Sequence, residues 1–266
     1  LQQVAKFTCP DRIMQFNKDF ADACKSSSII HSCEGTSVKE VLDAKTSPGE
    51  VKAASGFTGA AEAVSSSDKT GKCELYGLTG SMNVMGPAMI LAVAGCGELK
   101  PTMLDALKSD DFLKINPFGQ MPALKDGDYS LAESGAIMRY LAASYAPDLY
   151  PEDPAKRAFI DWAIDRFVSS SYQDAVTCVY PVLGYAPAPE DQEAAGKACT
   201  KNMEEFASVF LKGKFVGGDA LSIADYKVAP FFFCFAHEAV KSKSKVACPE
   251  RIVQFNKDFA AACKSA

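Results

Sequence analysis

A proline interrupts a run that otherwise reads as a strand. Gln120-Met121-Pro122-Ala123-Leu124 is short and apolar, Asp126-Gly127-Asp128 supplies a turn, and Tyr129-Ser130-Leu131 returns as a second strand. Proline cannot donate to a ladder, so its presence inside a strand needs a reason. A cis X-Pro bond is one: it turns the preceding backbone N–H and C=O toward solvent, where a ligand can pair with them. From Glu133 onward Ala136, Ile137, Tyr140 and Leu141 recur at helical spacing, so residues 116–142 read as strand, turn, strand, helix. The predicted chemistry is recognition of a ligand by main-chain groups. Metal chemistry is not expected, because His31 and His237 are the only histidines and no HExxH or Cys/His cluster occurs.

The elements that must position this unit lie on both sides of it. Cys73-Glu74-Leu75-Tyr76-Gly77 reads as a first strand, and Pro87 to Ala94 as an apolar helix closed by Gly95, a residue suited to a left-handed helix end. Ser81 and Asn83 fall between them; read alone, Ser81 is a residue that caps a helix. Pro154 to Phe167 is a long amphipathic helix. Further on, Ser222 and Asp225 are spaced as a capping box ahead of another helix. The cluster Phe231-Phe232-Phe233-Cys234-Phe235 reads as core packing.

These strings together resemble the glutathione transferase superfamily, and NPFGQMPALKDGD looks most like its phi-type members. The phi pattern of a serine five residues after the tyrosine of YG, then x-N-V, is met at Tyr76, Ser81, Asn83 and Val84. Phe215 to Tyr226 resembles the capping motif before the family's buried sixth helix. The resemblance covers about residues 72–263 and is loosest between 165 and 210. It implies a thioredoxin-like α/β domain, residues 72–145, followed by an all-α domain, residues 152–266. It also implies glutathione as co-substrate: a cis Pro122, Met121 pairing through its backbone with the cysteinyl unit, and Gln120 in the same binding segment. Glu133 and Ser134 would hold the γ-glutamyl carboxylate at a helix N-terminus, where orphan N–H groups favour an anion. Lys108, eight residues before Asn116, would meet the glycyl carboxylate.

The implied reaction is thiol activation. A free thiol of this kind has a pKa near 8.5 and is only a few per cent thiolate at neutral pH. A hydroxyl donating to the sulfur at a positive helix end favours the charged form, and a shift of about two units corresponds to roughly 2.7 kcal/mol. Ser81 is the expected catalytic donor. Tyr76 is the rival hydroxyl, since other branches of the superfamily use a tyrosine, but it sits within the first strand; Cys73 reads as a small core hydrophobe. Tyr172, Val179 and Tyr180 are expected to line the pocket for an apolar electrophile. The pattern also departs from the phi type. The stretch before Lys108 is about six residues shorter, Ala106 and Leu107 stand where a histidine is common, Gly86-Pro87 replaces a basic residue, and Gly135 stands where arginine is usual.

The whole chain has 266 residues, 48% hydrophobic, with a net charge of −5 and both signs interspersed, which excludes a nucleic-acid footprint. Its longest apolar runs, 228–236 and 86–95, fall far short of the ~20 residues needed to span a bilayer, and no signal-peptide pattern appears. Ten cysteines without a CxxC read as free thiols in a reducing compartment, the cytoplasm or an organelle.

Residues 9–26 recur as 248–265, with 15 of 18 positions identical, at an offset of 239 residues. Each copy is amphipathic, with Ile13, Phe16, Phe20 and Cys24 on one face of the first and Ile252, Phe255, Phe259 and Cys263 on one face of the second; Pro10 and Pro249 suit the first turn. The favoured account is a chain cut from a tandem array, with residues 1–26 the tail of a preceding repeat. The alternative is a duplicated helix packed on a single module. The start at Leu1 fits processing or trimming. Residues 27–71, rich in Ser, Ala, Gly, Thr and Lys with Phe57 the one aromatic, read as a low-complexity linker with a short helix around Val38 to Ala44.

Two functions are therefore expected to compete. One is an enzyme that binds glutathione and activates its thiol for conjugation or peroxide reduction. The other is a non-catalytic subunit of the same fold, docking with a second copy, a neighbouring repeat or a larger assembly.

Overall fold

The first strand, β1, is Cys73–Gly77, the run expected from sequence, and its residues Cys73, Leu75 and Gly77 are buried while Glu74 and Tyr76 are not. It is one of the two inner strands of a four-stranded sheet in the computed structural model of the chain, which describes residues 72–78 and 80–265. The expected helix in 1–26, the linker 27–71 and the short helix around Val38 to Ala44 lie outside the described residues. β1 pairs in parallel with β2 (Gly97–Pro101) and antiparallel with β3 (Ala123–Asp126), which forms a hairpin with β4 (Tyr129–Ala132), giving the order β2-β1-β3-β4. Sequence reading passed over β2, because GELKP carries a single apolar residue. An edge strand can be that polar, and its register with β1 supplies what its side chains do not.

Pro122 precedes β3 and is not part of it. The strand begins at Ala123 and runs on to Asp126, so the turn narrows to Gly127-Asp128 and no ladder bond is lost to the proline. One face of the sheet is covered by α1 (Met82–Ala94) and α3 (Ser134–Tyr145). Leu75, Leu124, Val84, Ile90, Ile137, Met138 and Leu141 form its fully buried layer. The other face carries Tyr76, whose ring meets Phe112 of α2 (Asp110–Ile115) edge-on at 6.5 Å. α1 starts at Met82, five residues earlier than predicted, and takes Pro87 into its interior. Gly95 closes it in the left-handed region, as expected of a glycine there.

The second half is helical. α4 (Pro154–Arg166) is opened by Asp153, whose carboxylate accepts from the Lys156 N–H at 2.8 Å, with Pro154 in the first turn. It continues through a π turn, Phe167–Ser171, into α5 (Tyr172–Cys178), followed by α6 (Tyr180–Leu183) and α7 (Gln192–Phe210). Then come α8 (Ile223–Ala236), α9 (Glu238–Ser244) and α10 (Glu250–Ser265). α8 is buried along most of its length. Asp225 anchors its start: the carboxylate accepts from the Ser222 N–H at 2.8 Å, the Ser222 hydroxyl at 3.0 Å and the Val216 N–H at 2.7 Å.

Two expectations about helix faces are corrected. Phe231, Phe232 and Phe235 have no exposure, yet Phe233 is 43% exposed, because five consecutive residues of a helix cannot share one face. In α10, Ile252, Phe255 and Phe259 are buried but Cys263, in the last turn, is exposed. One continuous core joins the two halves, running from Leu75, Ile90 and Met138 to Phe167, Phe206, Phe232 and Phe255. Among the described residues no helix is long and apolar enough to cross a membrane, and no group of three or more His, Cys, Asp or Glu is placed to hold a metal ion.

Candidate functional site

A cleft of about 1250 Å³ opens between the sheet half and the helical half. Two helix N-termini face it. Ser81, Met82 and Asn83 of the first turn of α1 line one side, and Glu133, Ser134, Gly135 and Ala136 of α3 line another, with Gln120, Met121 and Pro122 beside them. Of the residues singled out from sequence, the cleft thus brings together Ser81, Gln120, Met121, Pro122, Glu133, Ser134, Tyr172 and Tyr180. Lys108 is not in the lining; it is exposed on a short 3-10 turn, Asp105–Lys108, its ammonium 3.5 Å from the Gly119 carbonyl at the rim. Val179 is not in the lining either. It lies at the junction of the helices Tyr172–Cys178 and Tyr180–Leu183, in the core with no exposure.

The main-chain surface is built by Asn116. Buried at 2% exposure, its amide donates to the Gln120 carbonyl at 2.7 Å while its own carbonyl accepts from the Phe118 N–H at 3.1 Å, fixing the loop ahead of Met121. The Met121-Pro122 bond is cis, and neither backbone polar group of Met121 is hydrogen-bonded among the described residues. The Met121 sulfur accepts from the Leu78 N–H at 3.1 Å, joining this loop to the one that leads to Ser81.

Ser81 occupies the N-cap of α1 with an extended backbone, and its carbonyl accepts from the Val84 and Met85 N–H groups at 2.9 Å. The reading of Ser81 as a plain cap fails in its side chain: the hydroxyl caps nothing and has no partner among the described residues. A free hydroxyl at a positive helix end can donate to a developing anion. Tyr76, the rival, is spent elsewhere: its hydroxyl donates to Glu74 at 2.8 Å on the sheet's far side, and burial with that neighbour lifts its pKa to about 12. Cys73 is buried in the core beside Cys96, which pushes its thiol upward.

Glu133 caps α3 at φ 67°, an uncommon conformation for a residue with a side chain. It leaves the first N–H groups of α3 directed at the cleft and the carboxylate exposed with no internal cap to make. Arg139, one turn on, donates to Asp161 at 2.6 Å and Asp165 at 3.1 Å, tying α3 to α4 along the cleft wall.

Lys227 is the residue that sequence reading missed. It enters from α8, is 3% exposed, and its ammonium donates to the Ser134 hydroxyl at 2.7 Å and to the Asn83 side-chain carbonyl at 3.1 Å. Burial pulls its pKa down to about 8, opposed by Glu133 and aided by Arg139. The signal was present: Ile223 to Phe235 is an apolar helix, and a lone lysine inside such a run is buried with a partner or a purpose.

Fold and site together define a thioredoxin-like domain with a helical partner and a cleft suited to an anionic, extended ligand. The family described as glutathione S-transferase, N-terminal domain, matches residues 71–143. Over 163 residues the chain is 34% identical to glutathione S-transferase 3 of Zea mays, covering 57% of this chain and 73% of that protein. Over 180 residues it is 32% identical to a glutathione S-transferase of Hyoscyamus muticus, covering 59% and 82%. A theta class glutathione S-transferase from the citrus canker pathogen Xanthomonas axonopodis pv. citri, solved with glutathione bound, superposes with a TM-score of 0.60 at 25% identity, covering 71% and 91%. The chain belongs to the glutathione transferase family.

Proposed function

We propose that the chain binds glutathione in this cleft and that Ser81 activates its thiol. The observation that carries the reading is the Ser81 hydroxyl at the N-terminus of α1, which has no partner among the described residues and faces the same cleft as the backbone of Met121 and the N-terminus of α3. In this reading Met121 pairs with the cysteinyl unit and Gln120 lies alongside. Glu133 and Ser134 hold the γ-glutamyl end, its carboxylate at the N–H groups of α3. Lys108 reaches the glycyl carboxylate only by extending over the rim. Ser81 donates to the sulfur, shifting the thiol toward thiolate.

In conjugation the thiolate then attacks an electrophilic carbon, displacing its leaving group or adding to a polarised double bond that takes up a proton. In peroxide reduction it attacks a peroxide oxygen, breaking the O–O bond to release the alcohol and leave a sulfenic acid, which a second glutathione converts to disulfide and water. Tyr172 and Tyr180, with Val168, Leu183 and Tyr185, form the wall against which an apolar electrophile packs. The repeat of residues 9–26 at 248–265 supports reading the chain as one unit of a tandem array.

Isothermal titration of glutathione with turnover assays tests this. Ser81→Ala should bind within a few-fold of wild type yet lose about 10²-fold in kcat, the scale for removing one donor to a developing charge. Glu133→Ala should weaken binding about tenfold. Absence of heat at millimolar glutathione would sink the reading and leave the non-catalytic subunit in its place.

A further inference from the structure

The most demanding group in the cleft is the Lys227 ammonium. A cation at 3% exposure is costly unless an anion pairs with it. Both oxygens it contacts, Ser134 Oγ and Asn83 Oδ1, are neutral, and among the described residues it forms no ion pair. The charged groups that face it are Glu133 and Arg139. Of these, Arg139 is already committed to Asp161 and Asp165, and α1 brings no titratable side chain at all.

Its two contacts are also informative. Asn83 belongs to the first turn of α1 and Ser134 to the first turn of α3, so Lys227 bridges the two helix N-termini that face the cleft. It can do so because α8 lies close against α1: a Cβ on Gly86 would stand 2.7 Å from the carbonyl oxygen of Tyr226, Lys227's neighbour. Because Lys227 donates to Ser134 Oγ, the hydroxyl proton is left to point away from the ammonium. The serine is thereby set as a donor toward whatever occupies the cleft.

We propose that Lys227 is a positioning residue for an anionic ligand: it holds Ser134 as a donor to the ligand's carboxylate and supplies the buried counter-charge to that carboxylate. The inference rests on the glutathione reading above and adds a charge contributed by the helical half. One wall of the carboxylate site thus comes from α8, and the site is complete only when both halves are packed together.

The test uses the full chain and S-methylglutathione, a thioether probe whose sulfur does not titrate, in isothermal titration at pH 7 and 9.5. Lys227→Met should bind roughly tenfold more weakly at pH 7, the scale of losing a charge-assisted contact. Wild-type affinity should fall toward that of the variant at pH 9.5, where the ammonium has been lost. With a probe lacking the γ-glutamyl α-carboxylate, wild type and variant should bind alike.

Equal affinities for the intact probe at pH 7 would overturn the proposal, as would the same loss with the carboxylate-free probe. If the variant does not fold, wild type alone decides: raising the pH must weaken the intact probe more than the carboxylate-free one, and equal weakening overturns the assignment. Wild type that binds neither probe would remove the glutathione reading itself and this inference with it.

Discussion

At the scale of single residues, Lys227 sets two properties against each other. Its folded pKa, about 8, lies below the ordinary 10.5 of a lysine because burial disfavours the charged form. For a base shifted downward the unfolded chain holds more protons between those two values. Stability therefore rises as pH goes from about 8 to about 10.5, and the penalty is fully present below 8. Lys227→Met removes the desolvated charge and should stabilise the empty protein at pH 7 by about 1–3 kcal/mol. Ser134 and Asn83 line the cleft, so water replaces the lost donor. Thermal melts should show the variant above wild type at pH 7, with the gap narrowing at pH 10. A variant that melts lower at both would mean that the lysine stabilises the empty fold. Ser81 and Lys227 thus differ in kind: one is exposed to the cleft and acts on the ligand directly, the other is hidden and acts through a serine.

Among the elements, α8 depends on how it starts. Asp225 has no exposure and receives three donors, including the Val216 N–H from the preceding loop, so it joins loop and helix in one knot. Asp225→Ala strands those donors in the interior and should cost about 2–4 kcal/mol. Burial raises the Asp225 pKa from 3.8 to about 7, against the pull of its donors. With a carboxyl shifted upward the folded chain holds more protons between those values, so its contribution falls as pH rises from about 4 to about 7. Denaturant unfolding should therefore show wild type leading the variant by more at pH 5 than at pH 8; a constant lead would contradict the shift. The capping spacing of Ser222 and Asp225 was legible in sequence, because it is a contact three residues apart. The Val216 bond was not, because it depends on how the loop folds back.

For the whole molecule, the continuous core has one consequence that separate domains would not share. α1 and α3 pack directly on the helical half, with the Tyr226 backbone close against Gly86 and the Arg139 side chain bound to α4. The two halves should melt together in calorimetry as one transition. A fragment ending near residue 146 should lose its near-ultraviolet circular dichroism, because the face of α1 that α8 covers would be exposed to water. Two resolved transitions would show that the halves are independent. The same packing explains why the site was only partly readable. Ser81, Met121, Pro122 and Glu133-Ser134 lie on local units whose turn and helix signals are written in adjacent residues. Val179 was misplaced because it sits at the junction of α5 and α6, and no local pattern says which of two neighbouring residues there faces a cleft formed by distant elements.

Local pattern alone determined the strand and hairpin of the sheet half and the helix starts at Glu133 and Ser222, because each is an agreement among residues a few positions apart; the cis bond at Pro122 was implied by the family resemblance. Tertiary structure decided the rest. It spent Tyr76 on Glu74, left the Ser81 hydroxyl without a partner among the described residues, put Lys108 outside the lining, and drove a lysine 144 residues from Asn83 into the same pocket. The physical reason is that burial and charge pairing are set by what packs across the cleft, and those neighbours are far apart along the chain.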